Sequence, residues 1–429
     1  MENSRPSTLP SAARASAATA LRRRDASLYV VASGLGGLGV GIALFYLNFL
    51  YRALGFDNLE IGALTGAQAL GAVAGALPAT LLARRVSRRT AILAGGTVTG
   101  AGIVGILGFD AYPVLLLASA CIGGGGIVVA SSGSALVADA TIGTDRAAMF
   151  GRQTALGALA YFIATSTAGA LAAPVAAFFG RPESAALVIR SVIAFGGGLA
   201  IASAIPILFV RPSAVATGTL EAPHRRSLLA RFAAIEICFG FGAGSVLPFL
   251  NLFFADRFGL SFAAIGLLLG TLAVAGAAGA LLHARFLVPR VGTLPAIVAV
   301  AFASLPFAIV AGFAAAPVLA VIALAIRAAL MYAATPTFTS FELSSFTPRE
   351  RAGTAALFAI TWNAANAAGA SFSGLVRAAM GPSGYTVNLI TLAVAYCAAA
   401  TLLLVLFRHH EPAGDAQGAP SAHRADSSR

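Results

Sequence analysis

Twelve runs of apolar residues, each about as long as a bilayer is thick, leave this chain few ways to fold. A helix needs about 20 apolar residues to cross the hydrocarbon core. The runs cover roughly residues 28–51, 59–83, 91–109, 113–138, 153–179, 186–210, 228–254, 262–284, 294–313, 317–343, 354–378 and 387–407. Helix-ending residues stand between them, as in Phe56-Asp57-Asn58 and Gly381-Pro382-Ser383-Gly384. In lipid every backbone N–H and C=O must be bonded internally, so open sheets are excluded and helices are expected throughout. Composition agrees. Hydrophobic residues make up 58% of the chain and charged residues 10%, where a soluble domain carries about 25% charged. A soluble enzyme, a disulfide scaffold and a disordered chain are excluded, and an all-α polytopic membrane protein is expected.

Charge orients the helices. The net charge is +12, and every one of the 28 basic residues is Arg. Twenty-two arginines fall on one side of the expected membrane, and only Arg52, Arg181 and Arg257 on the other. Arg190, Arg327 and Arg377 fall inside spans. Positive loops stay in the cytoplasm, so both termini are expected there, as an even number of spans also requires. The basic excess reads as orientation charge, not as a nucleic-acid surface. Residues 1–27 read as a disordered cytoplasmic tail, because the apolar run after them is too long for a signal peptide. Cys121, Cys238 and Cys397 lie within apolar runs, lack metal spacing and read as packing residues.

The two halves repeat each other at an offset of about 203 residues. Gly39-Val40-Gly41, Asn48 and Ile61-Gly62 are matched by Gly242-Ala243-Gly244, Asn251 and Ile265-Gly266. Asp139 and Arg146, seven apart, are matched by Glu342 and Arg349 at the same spacing. Polar residues are scarce here, so these matches outweigh the apolar ones. Two parallel six-helix halves, 28–210 and 228–407, are expected, with a polar linker 211–227 and a cytoplasmic tail 408–429. Parallel repeats about the membrane normal are a transporter architecture.

On these residues the chain resembles the major facilitator superfamily from about 28 to 407. The loop Thr80 to Arg89 retains the terminal arginine pair, Arg88-Arg89, of that family's loop between its second and third helices. Pro348-Arg349-Glu350-Arg351-Ala352-Gly353 with Trp362-Asn363, and the stretch Gly240 to Gly259, resemble uncharacterised bacterial members. The family's drug-exporter signature is not present in 153–179. The resemblance implies twelve helices in two pseudo-symmetric bundles in a bacterial inner membrane. It also implies an inner gate, here Arg84, Arg85, Arg88 and Arg89 facing Asp139, Arg146, Glu342 and Arg349. Salt bridges there would hold the inside closed.

Charges in spans are the candidates for mechanism. Arg327 lies about 15 Å deep, where a charge costs at least about 2.5 kcal/mol. Arg327, Thr335, Phe338 and Glu342 share one helical face by spacing and are expected to line the central cavity. Arg327 reads as an anchor for an anionic group or a partner for a carboxylate, or else as a structural cation. Glu236, the one acid well inside a span, reads as a proton carrier or a gate stabiliser. Asn363, Asn366 and Ser373, with Trp362 beside them, form a polar stripe that faces a wet cavity or a neighbouring helix. Gln68, Tyr161, Tyr332, Asn48 and Asn251 complete the candidates, the two matched asparagines as ligand contacts or an outer gate. Arg190 and Arg377 lie near outer ends and are expected to snorkel.

No nucleotide loop, nucleophile motif or metal-spaced set is visible, so no enzyme, cofactor, metal or ATP-driven pump is expected. Gly123-Gly124-Gly125-Gly126 lies mid-span with no following Lys and reads as packing rather than as a phosphate loop. The expected function is secondary active transport of a small organic solute, coupled to protons, by a monomer in the lipid bilayer. The alternative is the same fold serving as a membrane receptor or assembly scaffold without transport.

Overall fold

The computed structural model describes residues 11–140, 144–212, 224–347 and 349–408. These residues are helical and hold no strand. Eleven segments are long and apolar enough to cross a membrane, and the last of them, Gly353–Phe407, is a hairpin. Asn388 Nδ2 donates to Ser373 Oγ at 2.7 Å, fifteen residues away. One straight helix would separate them by about 22 Å. The chain turns back at Gly381, whose φ of +57° suits a residue without Cβ. Twelve long helices result among the described residues.

The first half holds α1 (Ser11–Ala53), α2 (Asn58–Arg85), α3 (Arg88–Gly108), α4 (Tyr112–Ala140), α5 (Thr144–Phe179) and α6 (Ala186–Ala202). The second holds α7 (Arg226–Val246), α8 (Phe262–Leu282), α9 (Thr293–Phe313), α10 (Pro317–Ser344), α11 (Arg351–Met380) and α12 (Gly384–Phe407). α1 corrects one expectation. It is helical from Ser11, within the stretch read as a disordered tail, because Ala, Leu and Arg there favour helix. α7 passes at Pro248 into a 3-10 turn, Leu247–Phe249, and resumes as the short helix Leu250–Phe258. Proline lacks the donor that would continue the helical ladder.

Packing repeats between the halves. α1 lies against α5 and α6, and α4 against α2 and α3; α7 lies against α11 and α12, and α10 against α8 and α9. The halves meet along α2 with α11 and along α5 with α8. Small residues set both seams. A Cβ on Gly62 would lie 2.7 Å from the Cα of Gly374, and one on Gly266 2.2 Å from the carbonyl oxygen of Thr165. In lipid such close backbone approach takes the place of the hydrophobic effect in joining helices.

The end that carries the start of α1 and the α2–α3 turn is the Arg-rich face. There Glu350, between α10 and α11, gathers four donors. His224 N–H and Nδ1 meet Oε1 at 2.8 and 3.3 Å, and Thr347 N–H and Oγ1 meet Oε2 at 3.1 and 2.9 Å. The His224 amide first, then the Thr347 hydroxyl and amide, hold the Glu350 carboxyl down to about 2. A depressed carboxyl stabilises the fold above its unfolded-state value, about 4.3. That contribution fades as pH falls through the folded value. The melting-temperature gap between the wild type and Glu350→Gln should thus be constant from neutral to about pH 4.3, then shrink toward about pH 2. A gap that is unchanged at low pH would refute this anchoring of the linker's end.

Candidate functional site

Opposite the Arg-rich face, polar side chains join the halves. Asn48 on α1 donates to Asn251 Oδ1 at 3.2 Å and to the Pro248 carbonyl at 2.7 Å. Asn251 donates back to the Phe45 carbonyl at 2.9 Å. These are repeat mates, and each is 5% exposed. Nearer the surface Arg52 grips Asp256 through both guanidinium nitrogens, Nη2 meeting Oδ2 at 2.8 Å. The Tyr385 hydroxyl donates to the same Oδ2 at 2.6 Å. Beside them Arg377 donates to Asn58 Oδ1 at 3.1 Å and lies 4.1 Å over the Phe249 ring. Arg377 was expected to snorkel, but it is 1% exposed, because α2, Phe249 and Tyr385 cover it.

Beneath this belt lies a cavity of about 1080 Å³, reaching down to Tyr29, Ile92 and Ile207 toward the Arg-rich end. Arg327, Asn363, Asn366, Gln68, Tyr161, Tyr332, Asn48 and Asn251 line it, as a shared chamber would require. Arg327 is its one charged side chain among the described residues. It is 4% exposed, stacks 4.9 Å over the Tyr396 ring, and has Nε and Nη2 without a hydrogen-bond acceptor.

Other candidates lie elsewhere. Trp362 packs against α7, its carbonyl 2.7 Å from where a Gly240 Cβ would stand. Glu236 is 8% exposed within the second half and does not line the cavity. Only Arg327 of the expected α10 face opens on the cavity; Phe338 and Glu342 do not. The reason is an aromatic plug, in which Phe232 meets Phe338, Phe341, Phe346, Phe358 and Phe407 at 4.3 to 6.4 Å. Glu342 is 3% exposed, lies within electrostatic reach of Glu236, and its Oε1 accepts no hydrogen bond. Two buried acids thus stand within electrostatic reach of each other in the second half.

On the Arg-rich face Arg88 Nε meets Asp139 Oδ2 at 3.3 Å, a bridge within the first half. Arg85 and Arg349 are exposed and Arg89 is half-buried. The side chains of Arg84 and Arg146 lie outside the described residues.

Sequence reasoning missed Asp256, Tyr385 and Glu350. For Asp256 a signal existed. It stands 204 residues after Arg52, so opposite charges occupy nearly one repeat position, as Asn48 and Asn251 do four and five residues earlier at an offset of 203. Residues near a pseudo-two-fold axis meet their own mates. Tyr385 and Glu350 carried no such mark, since their partners come from unrelated segments.

The description Major Facilitator Superfamily matches residues 29–370. No curated protein matches the chain by sequence. Among solved structures, a bacterial homologue of the human lysosomal transporter Spinster, inward-facing and occupied, is 16% identical, with a TM-score of 0.70 over 89% of this chain and 96% of that one. The nucleoside transporter NupG is 15% identical, with a TM-score of 0.68 over 90% of this chain and 99% of that one. A variant of the E. coli fucose:proton symporter FucP is 14% identical, with a TM-score of 0.62 over 88% of this chain and 97% of that one.

Proposed function

The chain belongs to the Major Facilitator Superfamily, and on that premise we propose that it carries a small organic solute across the inner membrane of a bacterium by alternating access, driven by protons. The observation that carries this reading is the chamber between two repeat-related halves, with polar contacts joining those halves above it. Midplane sites between rocking repeats are how such carriers work. The arginine bias supports a cytoplasmic Arg-rich face, which makes the described state closed to the outside. Metabolite levels inside and outside cells expressing the chain, matched against cells expressing Arg327→Gln, test transport. A solute that redistributes only with the wild type names the substrate and the direction. No redistribution with either protein refutes transport.

Coupling is assigned to Glu236 with Glu342, two buried carboxyls whose proton uptake would change the charge inside the second half. FucP, named a fucose:proton symporter, gives a parallel within the same fold. In proteoliposomes Glu236→Gln should keep solute counterflow within about twofold of the wild type and lose gradient-driven accumulation, at least about tenfold. Unchanged accumulation would exclude Glu236 as the coupling group.

A further inference from the structure

The cavity is lopsided. In the second half no residue of α9 or α12 lines it, whereas in the first half it passes between α1 and α4 and reaches α3 and the short helix Ala204–Leu208 after α6. The repeat explains the difference. In the second half Phe239 closes the gap, its ring 5.8 Å from Phe338 and 4.9 Å from Tyr396. At the 203-residue offset the mates of Phe239, Phe338 and Glu236 are Gly36, Ala135 and Ser33. Tyr29, the mate of Phe232, keeps an aromatic at the cavity's end, and a side arm stands where Phe239 stands in the second half.

Of the seven glycines that line the cavity, four stand open: Gly37, Gly96, Gly100 and Gly126. A Cβ on any of them would meet nothing within 4 Å. The other three are pressed on neighbours, Gly36 on Ser203 Oγ at 3.0 Å, Gly41 on Ala164 Cβ at 2.8 Å and Gly123 on the Gln68 carbonyl oxygen at 1.8 Å, as interhelical glycines such as Gly71 and Gly244 are on backbone at 2.0 and 2.1 Å. Glycine is the poorest helix former after proline, so four without a packing partner leave room rather than permit contact. The arm's polar groups are neutral, among them Ser33, Thr97 and Ser203. Across the chamber stands Arg327, buried, with two guanidinium nitrogens unpartnered. Tyr396 is its neutral partner; buried guanidinium donors left without an acceptor are costly, and a bound anion would satisfy them.

We propose that the chamber binds an amphipathic organic anion, its charged group on Arg327 and its apolar body in the arm between α1, α3 and α4. This rests on the transporter reading and narrows its substrate class. The same chemistry occurs in single-chain lipids and in soluble aromatic acids.

The test is equilibrium binding of radiolabelled octanesulfonate to the purified full chain in nanodiscs. Saturable binding is expected, with competition by naphthalenesulfonate and none by ethanesulfonate or octyltrimethylammonium at equal concentration. Arg327→Gln should weaken binding about tenfold or more, and Gly37→Phe, which fills the arm, about tenfold. Gly126→Leu, on the opposite wall, serves if Gly37→Phe does not fold. Stronger binding of octanesulfonate than of naphthalenesulfonate would mark a chain-bearing, lipid-like ligand, and the reverse an aromatic acid; either supports the site. Absence of saturable binding, equal competition by ethanesulfonate or by the ammonium, or full binding in both arm variants overturns it. If binding fails while cells still redistribute a solute, only this proposal falls. If binding holds and no solute moves, the transporter reading falls and the site stands.

Discussion

Arg52→Glu is expected to open the Arg-poor face. The Arg52–Asp256 pair bridges the halves with two parallel contacts, and its side chains are 39% and 21% exposed. Exposed pairs contribute about 0.2–1 kcal/mol, so Arg52→Ala should move the closed-to-open ratio only about 1.4- to fivefold. Reversal does more. It sets a second carboxylate against Asp256, whose other partner is the Tyr385 hydroxyl, and juxtaposed like charges cost several kcal/mol. A shift of about tenfold or more toward the open state is expected. Spin labels near the outer ends of α1 and the Leu250–Phe258 helix would read it as a new long-distance population. Adding Asp256→Arg should restore the short distance. If the reversed variant keeps wild-type distances, or the double variant fails to restore them, the pair is not a latch.

Gly123→Ala is expected to be the most damaging small substitution in α4. Its Cβ would stand 1.8 Å from the Gln68 carbonyl oxygen and 3.1 Å from the Ala72 amide, both helix backbone on α2. Neither can rotate away, so α2 and α4 must part by more than an ångström and lose dispersion contacts along their seam. Overpacking costs about 1–3 kcal/mol where side chains can yield, and about 3 kcal/mol or more is expected here. Gly126→Ala is the control. Its Cβ meets nothing, and the gain in helix propensity, about 1 kcal/mol, should leave stability equal or higher. Thermal unfolding of the two purified variants decides this. Equal melting temperatures would refute the packing account of the glycine run.

That run shows how far the one-dimensional pattern reaches. Successive helical residues turn about 100° apart, so four glycines in a row thin α4 on every side. Packing on most sides was legible. A Cβ on Gly124 would lie 3.0 Å from Gly71, and one on Gly125 2.4 Å from Gly95. That Gly126 opens on the cavity was not legible, because spacing fixes angle around an axis and not what stands opposite.

Helix number, the repeat and the scarce polar pair Asn48–Asn251 followed from the sequence by itself, because the bilayer imposes length and charge rules that act on each span alone. Tertiary structure decided the fate of charges at helix ends. Arg377 and Arg190 look alike in sequence, yet α2 and two rings bury the first, while the second pairs with Asp110 at the surface. Glu342, expected at a gate, also comes within electrostatic reach of Glu236, a neighbour that spacing along the chain did not reveal. The arm was not legible along the chain either, since Gly37 leaves a void only where no side chain from another helix fills it. Burial, partner and cavity are relations between elements distant in the chain, and the packing of one helix against another creates them.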